Sequence, residues 1–138
     1  MALITAAGEQ GNRTSDAARP KILVVEDESL LAAELEYHLQ QAGFTVVGIA
    51  SSAEEALEFA TSEKPDLAVM DIRLAGPRDG IEAAIHLRSQ LGIPSIFATG
   101  HADEATRKRG EAAQPLGWLD KPFSGSALVA LVKKAITR

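Results

Sequence analysis

A chain of 138 residues, 46% hydrophobic and with a formal charge of −5, fits one domain with a single buried core and excludes a disordered polyelectrolyte. The 14 basic residues do not outnumber the 19 acidic ones, so there is no cationic surplus to neutralise nucleic-acid phosphates and direct nucleic-acid binding is not expected. Cysteine is absent, which excludes disulfides and thiolate metal sites and suits a reducing compartment, here expected to be the cytoplasm.

Residues 1–19 carry Gly8, Gly11, Asn12, Ser15 and Asp16 with almost no apolar periodicity after Ile4; they are expected to be a flexible tail ahead of a domain over 20–138. The start, Met1-Ala2-Leu3-Ile4-Thr5-Ala6-Ala7, lacks the basic residues and longer apolar run of a signal peptide. No stretch approaches the length of a membrane span, so no membrane association is expected.

From Lys21 strand-like and helix-like segments alternate. Ile22-Leu23-Val24-Val25 reads as a strand. Leu31, Leu35 and Leu39 share one face of a helix over 28–42, closed by Gly43. A strand is expected over 44–50. Ser52 and Glu55 then form an S-x-x-E capping box ahead of Ala56, Leu57 and Ala60. Lys64-Pro65 ends that helix before a strand at 66–70. After a loop rich in turn formers, Gly80 precedes a helix with Ile81, Ala84, Ile85 and Leu91, stopped by Gly92 and Pro94. Ile96-Phe97-Ala98 forms the next strand and ends on Thr99. Trp118-Leu119-Asp120 leads into Lys121, and a helix over 124–137 carries Leu128, Leu131, Val132 and Ala135 at core-facing spacing. Five strands alternating with five helices imply a doubly wound α/β domain with a parallel sheet. From 101 to 115 there is no large apolar residue. The fourth helix is therefore expected to be the weakest, further interrupted by Gly110 at a cost of about 1 kcal/mol relative to alanine.

The residues that carry chemistry fall where strands end. Glu26-Asp27 follows the first strand, Asp71 the third, Thr99 closes the fourth and Lys121 follows the fifth. In an open α/β sheet ligands bind beyond the carboxyl ends of the strands. One crevice could thus hold three carboxylates, a hydroxyl and an ammonium. Crowded carboxylates repel and need a hard cation, while hydroxyl and ammonium suit a phosphoryl group. The reading is a Mg²⁺-dependent phosphoryl site. The loop from Asp71 to Gly80 is long enough to leave Asp71 accessible, and Pro122 holds Lys121 extended and so fixes the direction of its side chain.

In this combination the chain resembles the receiver domains of two-component response regulators. The resemblance runs from Lys21 to the C-terminus and rests on Ile22-Leu23-Val24-Val25-Glu26-Asp27-Glu28, Asp66-Leu67-Ala68-Val69-Met70-Asp71-Ile72-Arg73-Leu74, Asp79-Gly80, Thr99-Gly100 and Trp118-Leu119-Asp120-Lys121-Pro122-Phe123. It implies a flavodoxin-like five-stranded sheet of order 2-1-3-4-5. It also implies that Asp71 accepts a phosphoryl group from a sensor histidine kinase, and that Glu26, Asp27, Asp71 and the backbone carbonyl of Arg73 ligate Mg²⁺. By the same resemblance Lys121 and Thr99 bind the phosphoryl oxygens, Thr99 and Trp118 form a switch, and the Lys121–Pro122 bond is cis. Arg73 and His101, two residues beyond Asp71 and Thr99, are candidates for setting the dephosphorylation rate.

Some positions depart from the family. Ala75 stands where proline is common four residues after the acceptor, and the loop to Gly80 is one residue longer. Phe97-Ala98-Thr99-Gly100 resembles a stand-alone subgroup found in alphaproteobacteria, although His101 replaces the usual aromatic there. With the last helix reaching Arg138, the expectation is a single-domain regulator, monomeric or weakly dimeric. It would act through an unidentified downstream protein or as a phosphate sink, and would not be an enzyme beyond self-phosphorylation from small donors and autodephosphorylation. The alternative is a binding module that keeps the fold without phosphorylation. A phosphatase of the haloacid dehalogenase type would need an acid two residues after the nucleophile, where Arg73 stands. A nucleotide-binding module would need glycines where Glu26-Asp27-Glu28 stands.

Overall fold

The computed structural model describes residues 19–100 and 102–137. The tail expected over residues 1–19 therefore lies outside the described residues except for Arg19, as does His101. Five parallel strands stand in the order β2-β1-β3-β4-β5: β1 Lys21–Val25, β2 Thr45–Ala50, β3 Leu67–Met70, β4 Ser95–Thr99 and β5 Trp118–Asp120. The helices are α1 Ser29–Gln41, α2 Ala53–Glu63, α3 Gly80–Leu91, α4 Glu104–Gly110 and α5 Gly125–Thr137, with a 3₁₀ turn Glu111–Ala113 after α4.

The period-2 alternation of the strands divides the core into two layers. Leu23, Val25, Ala68, Met70 and Phe97 face α2 and α3, meeting Ala56, Ala60, Ile81, Ala84 and Leu87. Ile22, Val24, Leu67, Val69, Ile96 and Ala98 face α1 and α5, meeting Leu35, Leu39, Leu128 and Val132. Burial on both faces explains why β1 and β3 read as unbroken apolar runs and not as alternating patterns.

Local chemistry sets the helix ends, with one departure from the sequence reading. Ser52 Oγ accepts from the Glu55 amide at 3.1 Å, but the Glu55 carboxylate bonds the amide and hydroxyl of Ser51 at 2.8 and 2.9 Å. The reciprocal half of the box is shifted by one residue, because Ser51 offers two donors to one carboxylate oxygen. The complete box lies at α3. Asp79 Oδ1 accepts from the Glu82 amide at 3.0 Å and Glu82 Oε1 from the Asp79 amide at 3.1 Å.

The 72–80 loop is fastened to the start of α2. Ala75 bridges Ser52 and donates its N–H to Ser51 O at 3.0 Å, and Arg78 Nε bonds Glu54 Oε2 at 3.0 Å. The Glu54 carboxyl is held below its usual value by its own backbone amide first and by Arg78 next.

α4 is seven residues long and ends at Gly110, the residue expected to interrupt it. Gly110 has a more specific reason than helix breaking. A Cβ there would lie 2.8 Å from Trp118 Cζ2 and Cη2 and 3.4 Å from Phe97 Cε2, so the indole fills the glycine's notch. Gly110→Ala is expected to cost about 1–3 kcal/mol as an overpacking change and to alter the emission of Trp118, the only tryptophan. Unchanged emission and stability would mean that the ring does not occupy the notch.

Candidate functional site

Strand order reverses between β1 and β3, and the acidic residues gather at the carboxyl ends of these two strands. Glu26 is held as the chain leaves β1, its amide bonding Ala50 O at 2.8 Å. The Glu28 amide turns back to Glu26 Oε2 at 3.1 Å, so the chain turns as it leaves β1 and the adjacent acids can converge. The turn that starts α1 directs Asp27 outward while Glu26 stays buried. Ligand oxygens of Glu26, Asp27 and Asp71 lie within 4.8 Å of one another.

Asp71 is only 6% exposed, contrary to the accessibility expected from its long loop. Asp71 Oδ1 accepts from the Ile72 amide at 2.8 Å, and the Gly80 backbone packs against the Asp71 carbonyl. Lys121 reaches the pair from β5. Its Nζ donates to Glu26 Oε1 at 2.9 Å and to Asp71 Oδ2 at 3.1 Å. The Lys121–Pro122 bond is cis, and the Lys121 amide bonds Thr99 O at 3.0 Å, which joins the last two site strands. Thr99 ends β4 at 1% exposure. Trp118 pairs with Phe97 in register, ring centroids 4.7 Å apart.

The electrostatics follow from this packing. Burial pushes the Glu26 carboxyl above its usual value, and the Asp71 charge adds to it, against the opposing hydrogen bonds from Lys121 and Glu28. Burial alone would lower the Lys121 ammonium, but the bonds and charges of Glu26 and Asp71 outweigh it and raise it. The two partners thus disagree about the net worth of the pair. The ammonium gains more than it loses, whereas Glu26 remains short of compensation. A second cation close to Glu26 and Asp71 has a physical reason to bind.

Of the residues named from sequence, Glu26, Asp27, Asp71 and Lys121 converge directly, and Thr99 stands on the adjacent strand. Arg73 is exposed in the β3–α3 loop, and His101 lies outside the described residues. Sequence reasoning missed the Ile72 amide, the Gly80 contact and Arg107, whose guanidinium carbon lies 4.8 Å from the Trp118 ring centroid. Asp79-Gly80-Ile81-Glu82, a D-x-x-E pattern, was the available signal for the α3 start; the run Arg107-Lys108-Arg109 marks charge in the sequence but not the place of Arg107 over the Trp118 ring.

Residues 22–133 match the response regulator receiver domain family, and the chain belongs to that family. It is 36% identical over 125 residues to the transcriptional regulatory protein PdtaR of Mycobacterium tuberculosis, covering 90% of this chain and 60% of that protein. It is 31% identical over 129 residues to the phyllosphere-induced regulator PhyR of Methylorubrum extorquens, covering 93% and 48%. The chain thus spans between about half and three fifths of the length of these relatives. Among solved structures it superposes on the signal receiver domain of a modulated diguanylate cyclase from Desulfovibrio desulfuricans G20, with TM-score 0.81, 37% identity and coverage of 86% and 94%. A response regulator from Chloroflexus aurantiacus gives TM-score 0.79, 31% identity and coverage of 87% and 99%. Receiver domains are signalling switches that interact with histidine kinases and bind Mg²⁺ at an acidic pocket. The hard oxygen donors of Glu26, Asp27 and Asp71 suit that ion. Among the described residues no helix is long and apolar enough to cross a membrane.

Proposed function

We propose that Asp71 is the phosphoacceptor of a single-domain response regulator, fed by a sensor histidine kinase. The observation that carries this reading is the bridging of Glu26 and Asp71 by Lys121 with the Asp27 carboxylate alongside. In the reaction an Asp71 carboxylate oxygen bonds to phosphorus, the bond from phosphorus to the donor imidazole nitrogen breaks, and the imidazole keeps its electron pair. The product is an acyl phosphate. Positioning and charge neutralisation supply most of the catalysis in phosphoryl transfer. Asp71 is already oriented by the Ile72 amide and Lys121. Lys121 then pairs with the phosphoryl oxygens and Thr99 donates its hydroxyl to one of them.

Glu26, Asp27, Asp71 and the Arg73 carbonyl would hold Mg²⁺, which when bound supplies positive charge against the carboxylates and the phosphoryl oxygens. Thr99 and Trp118 form the switch, and Arg73 and His101 tune dephosphorylation. The Phe97-Ala98-Thr99-Gly100 run supports membership of the stand-alone alphaproteobacterial subgroup. The protein acts in the cytoplasm as a monomer or weak dimer. It works through a protein partner or as a phosphate sink, with residues 1–19 as a tail outside the domain. A phosphorylation-independent binding module has no observation in its favour, since it would have no use for a buried, undercompensated Glu26.

Incubation with acetyl phosphate and Mg²⁺, followed by peptide mass spectrometry, should place the label on Asp71. Asp71→Asn should abolish it, and labelling of that variant at the native rate would sink the assignment. Asp27→Ala should weaken Mg²⁺ binding on the order of tenfold or more in a calorimetric titration, because a hard cation loses one of three carboxylates. Equal affinity would place the ion elsewhere.

A further inference from the structure

The corner where β2 passes into α2, from Ala50 to Glu55, bonds both chain segments that carry the candidate metal ligands. On one side Ala50 O accepts the Glu26 amide at 2.8 Å. On the other, the adjacent carbonyl, Ser51 O, accepts the Ala75 amide at 3.0 Å, in the loop that follows Asp71. Ala75 stands where the family commonly has proline, and proline has no N–H to donate. The departure therefore creates a bond that the usual residue cannot make. A second tie follows in the same loop, where Arg78 Nε donates to Glu54 Oε2 at 3.0 Å. Gly76 turns the chain between the two ties with a φ of +90°, and a Cβ on it would stand 3.6 Å from Glu54 Oε1. The loop thus lies against the corner.

The corner is itself fixed. Glu55 Oε1 accepts from the amide and the hydroxyl of Ser51 at 2.8 and 2.9 Å, while Ser52 Oγ accepts from the Glu55 amide at 3.1 Å. The Ser51 amide first and its hydroxyl next hold the Glu55 carboxyl below its usual value, which keeps it an acceptor for both. Two glutamates on the first turn of α2 therefore secure the loop, Glu54 through Arg78 and Glu55 through Ser51. Neither belongs to the group of carboxylates around Asp71.

We propose that Glu54, Glu55 and Arg78 are positioning residues of the metal site, which brace the β3–α3 loop against the β2–α2 corner and so preorder the segment that offers the Arg73 carbonyl. The metal role rests on the reading of Glu26, Asp27, Asp71 and that carbonyl as Mg²⁺ ligands; the brace itself does not. An ion that meets an ordered loop does not have to offset the entropy of ordering it, so bracing is read as affinity. Such coupling is reciprocal. Bound Mg²⁺ should therefore slow amide exchange over 51–55, a segment that supplies no ligand.

Amide exchange and calorimetric Mg²⁺ titration on the full chain test the two parts. Without Mg²⁺, Glu54→Ala, Arg78→Ala and Glu55→Ala should each speed exchange over 72–79 by about 1.5- to 5-fold, the range for an exposed ion pair, and leave β1 and β3 unchanged. Native rates in all three overturn the brace. In the titration each variant should raise the Kd for Mg²⁺ by a similar factor. The sign separates bracing from charge alone. By charge alone, removing the Arg78 cation tightens Mg²⁺ binding and removing the Glu54 anion weakens it. Bracing weakens it in both, with no further loss in the Glu54→Ala, Arg78→Ala double variant, because the two act as one pair. Arg78→Lys keeps a cation opposite Glu54 and should keep the native Kd. A loss of fold stability alone leaves the Kd of the folded protein unmoved. Native Kd in all three variants, or tighter binding by Arg78→Ala, therefore overturns the positioning role. A Kd for Asp27→Ala equal to the native value overturns the metal-site reading and the positioning role with it, and leaves the metal-free exchange to decide the brace.

Discussion

Lys121→Met is expected to lower stability by about 3 kcal/mol at neutral pH without divalent cations, a fall of about 10 °C in Tm for a domain of this size. The figure is the lower end of the cost of breaking a buried pair, since the Lys121 side chain is 23% exposed. Its loss leaves Glu26 and Asp71, 2% and 6% exposed, facing each other with no cation between them. The pH dependence separates this cause from lost packing. Burial raises the Glu26 carboxyl above 4.5, so the folded state holds that proton more tightly than the unfolded chain. Its contribution is fully present below 4.5 and is lost as pH rises through the raised folded value. Without Lys121 the carboxyl rises further, so the variant should lose stability more steeply between 4.5 and neutrality. The gap to the native protein should close in acid. Lys121 itself is raised above 10.5, so its contribution in the native protein is complete below 10.5 and lost only as pH rises through its folded value. Urea unfolding at pH 5 and 7.5 decides the matter. A gap equal at both would show that Lys121 contributes stem packing and not charge. Added Mg²⁺ should also narrow the gap at pH 7.5, because an ion that binds only the folded state adds stability by mass action.

Strand ends were legible because the rule that locates them is local. Ile22-Leu23-Val24-Val25 and Leu67-Ala68-Val69-Met70 have no exposed face, and the first polar residue after each, Glu26 and Asp71, had to stand at the crevice. Lys121 was legible through Pro122, whose ring constrains the residue before it. Thr99 could be placed by the end of its apolar run. Contacts made between elements distant in sequence were not legible. Asp71 looked accessible because loop length was the only guide, and the Ala75–Ser51 and Arg78–Glu54 ties that fold the loop back join segments 24 residues apart. Gly110 looked like a helix breaker because the ring that needs its notch comes from another strand. The partners of Arg107 and Arg109 were hidden for the same reason: a basic run shows its charge in sequence, but Asp120 and Asp79 meet it only in space. The capping serine, Ser52, was legible, but the reciprocal bond of Glu55 falls one residue earlier, since Ser51 and Ser52 are chemically alike and only geometry selects between them.

Gly80→Ala sets helix propensity directly against packing, and the two predict opposite signs. Gly80 is the first residue of α3, and propensity alone would have alanine stabilise the helix by up to about 1 kcal/mol. The contact says otherwise. A Cβ on Gly80 would run into the Asp71 carbonyl oxygen and stand 2.8 Å from its carbon and 2.9 Å from Ile72 Cα. All three are backbone atoms, and none can rotate away as a side chain can. The Gly80 amide also donates to Ile72 O at 2.7 Å, so moving α3 outward sacrifices that bond and drags Asp79, which caps the helix and receives Arg109. The expected result is a loss of about 3 kcal/mol or more, at or beyond the upper end of ordinary overpacking, or failure to fold. If the variant does fold, Asp71 is the residue displaced, and its labelling by acetyl phosphate should slow even though no side chain of the site has changed. Gly43→Ala provides the comparison. Its Cβ would meet nothing within 4 Å, and only the left-handed φ of 96° opposes it, so the loss there should be about 1–2 kcal/mol with labelling unaffected. Equal stability and equal labelling for Gly80→Ala and the native protein would mean that the loop does not rest on the acceptor's carbonyl, and that the position of Asp71 is set by β3 alone.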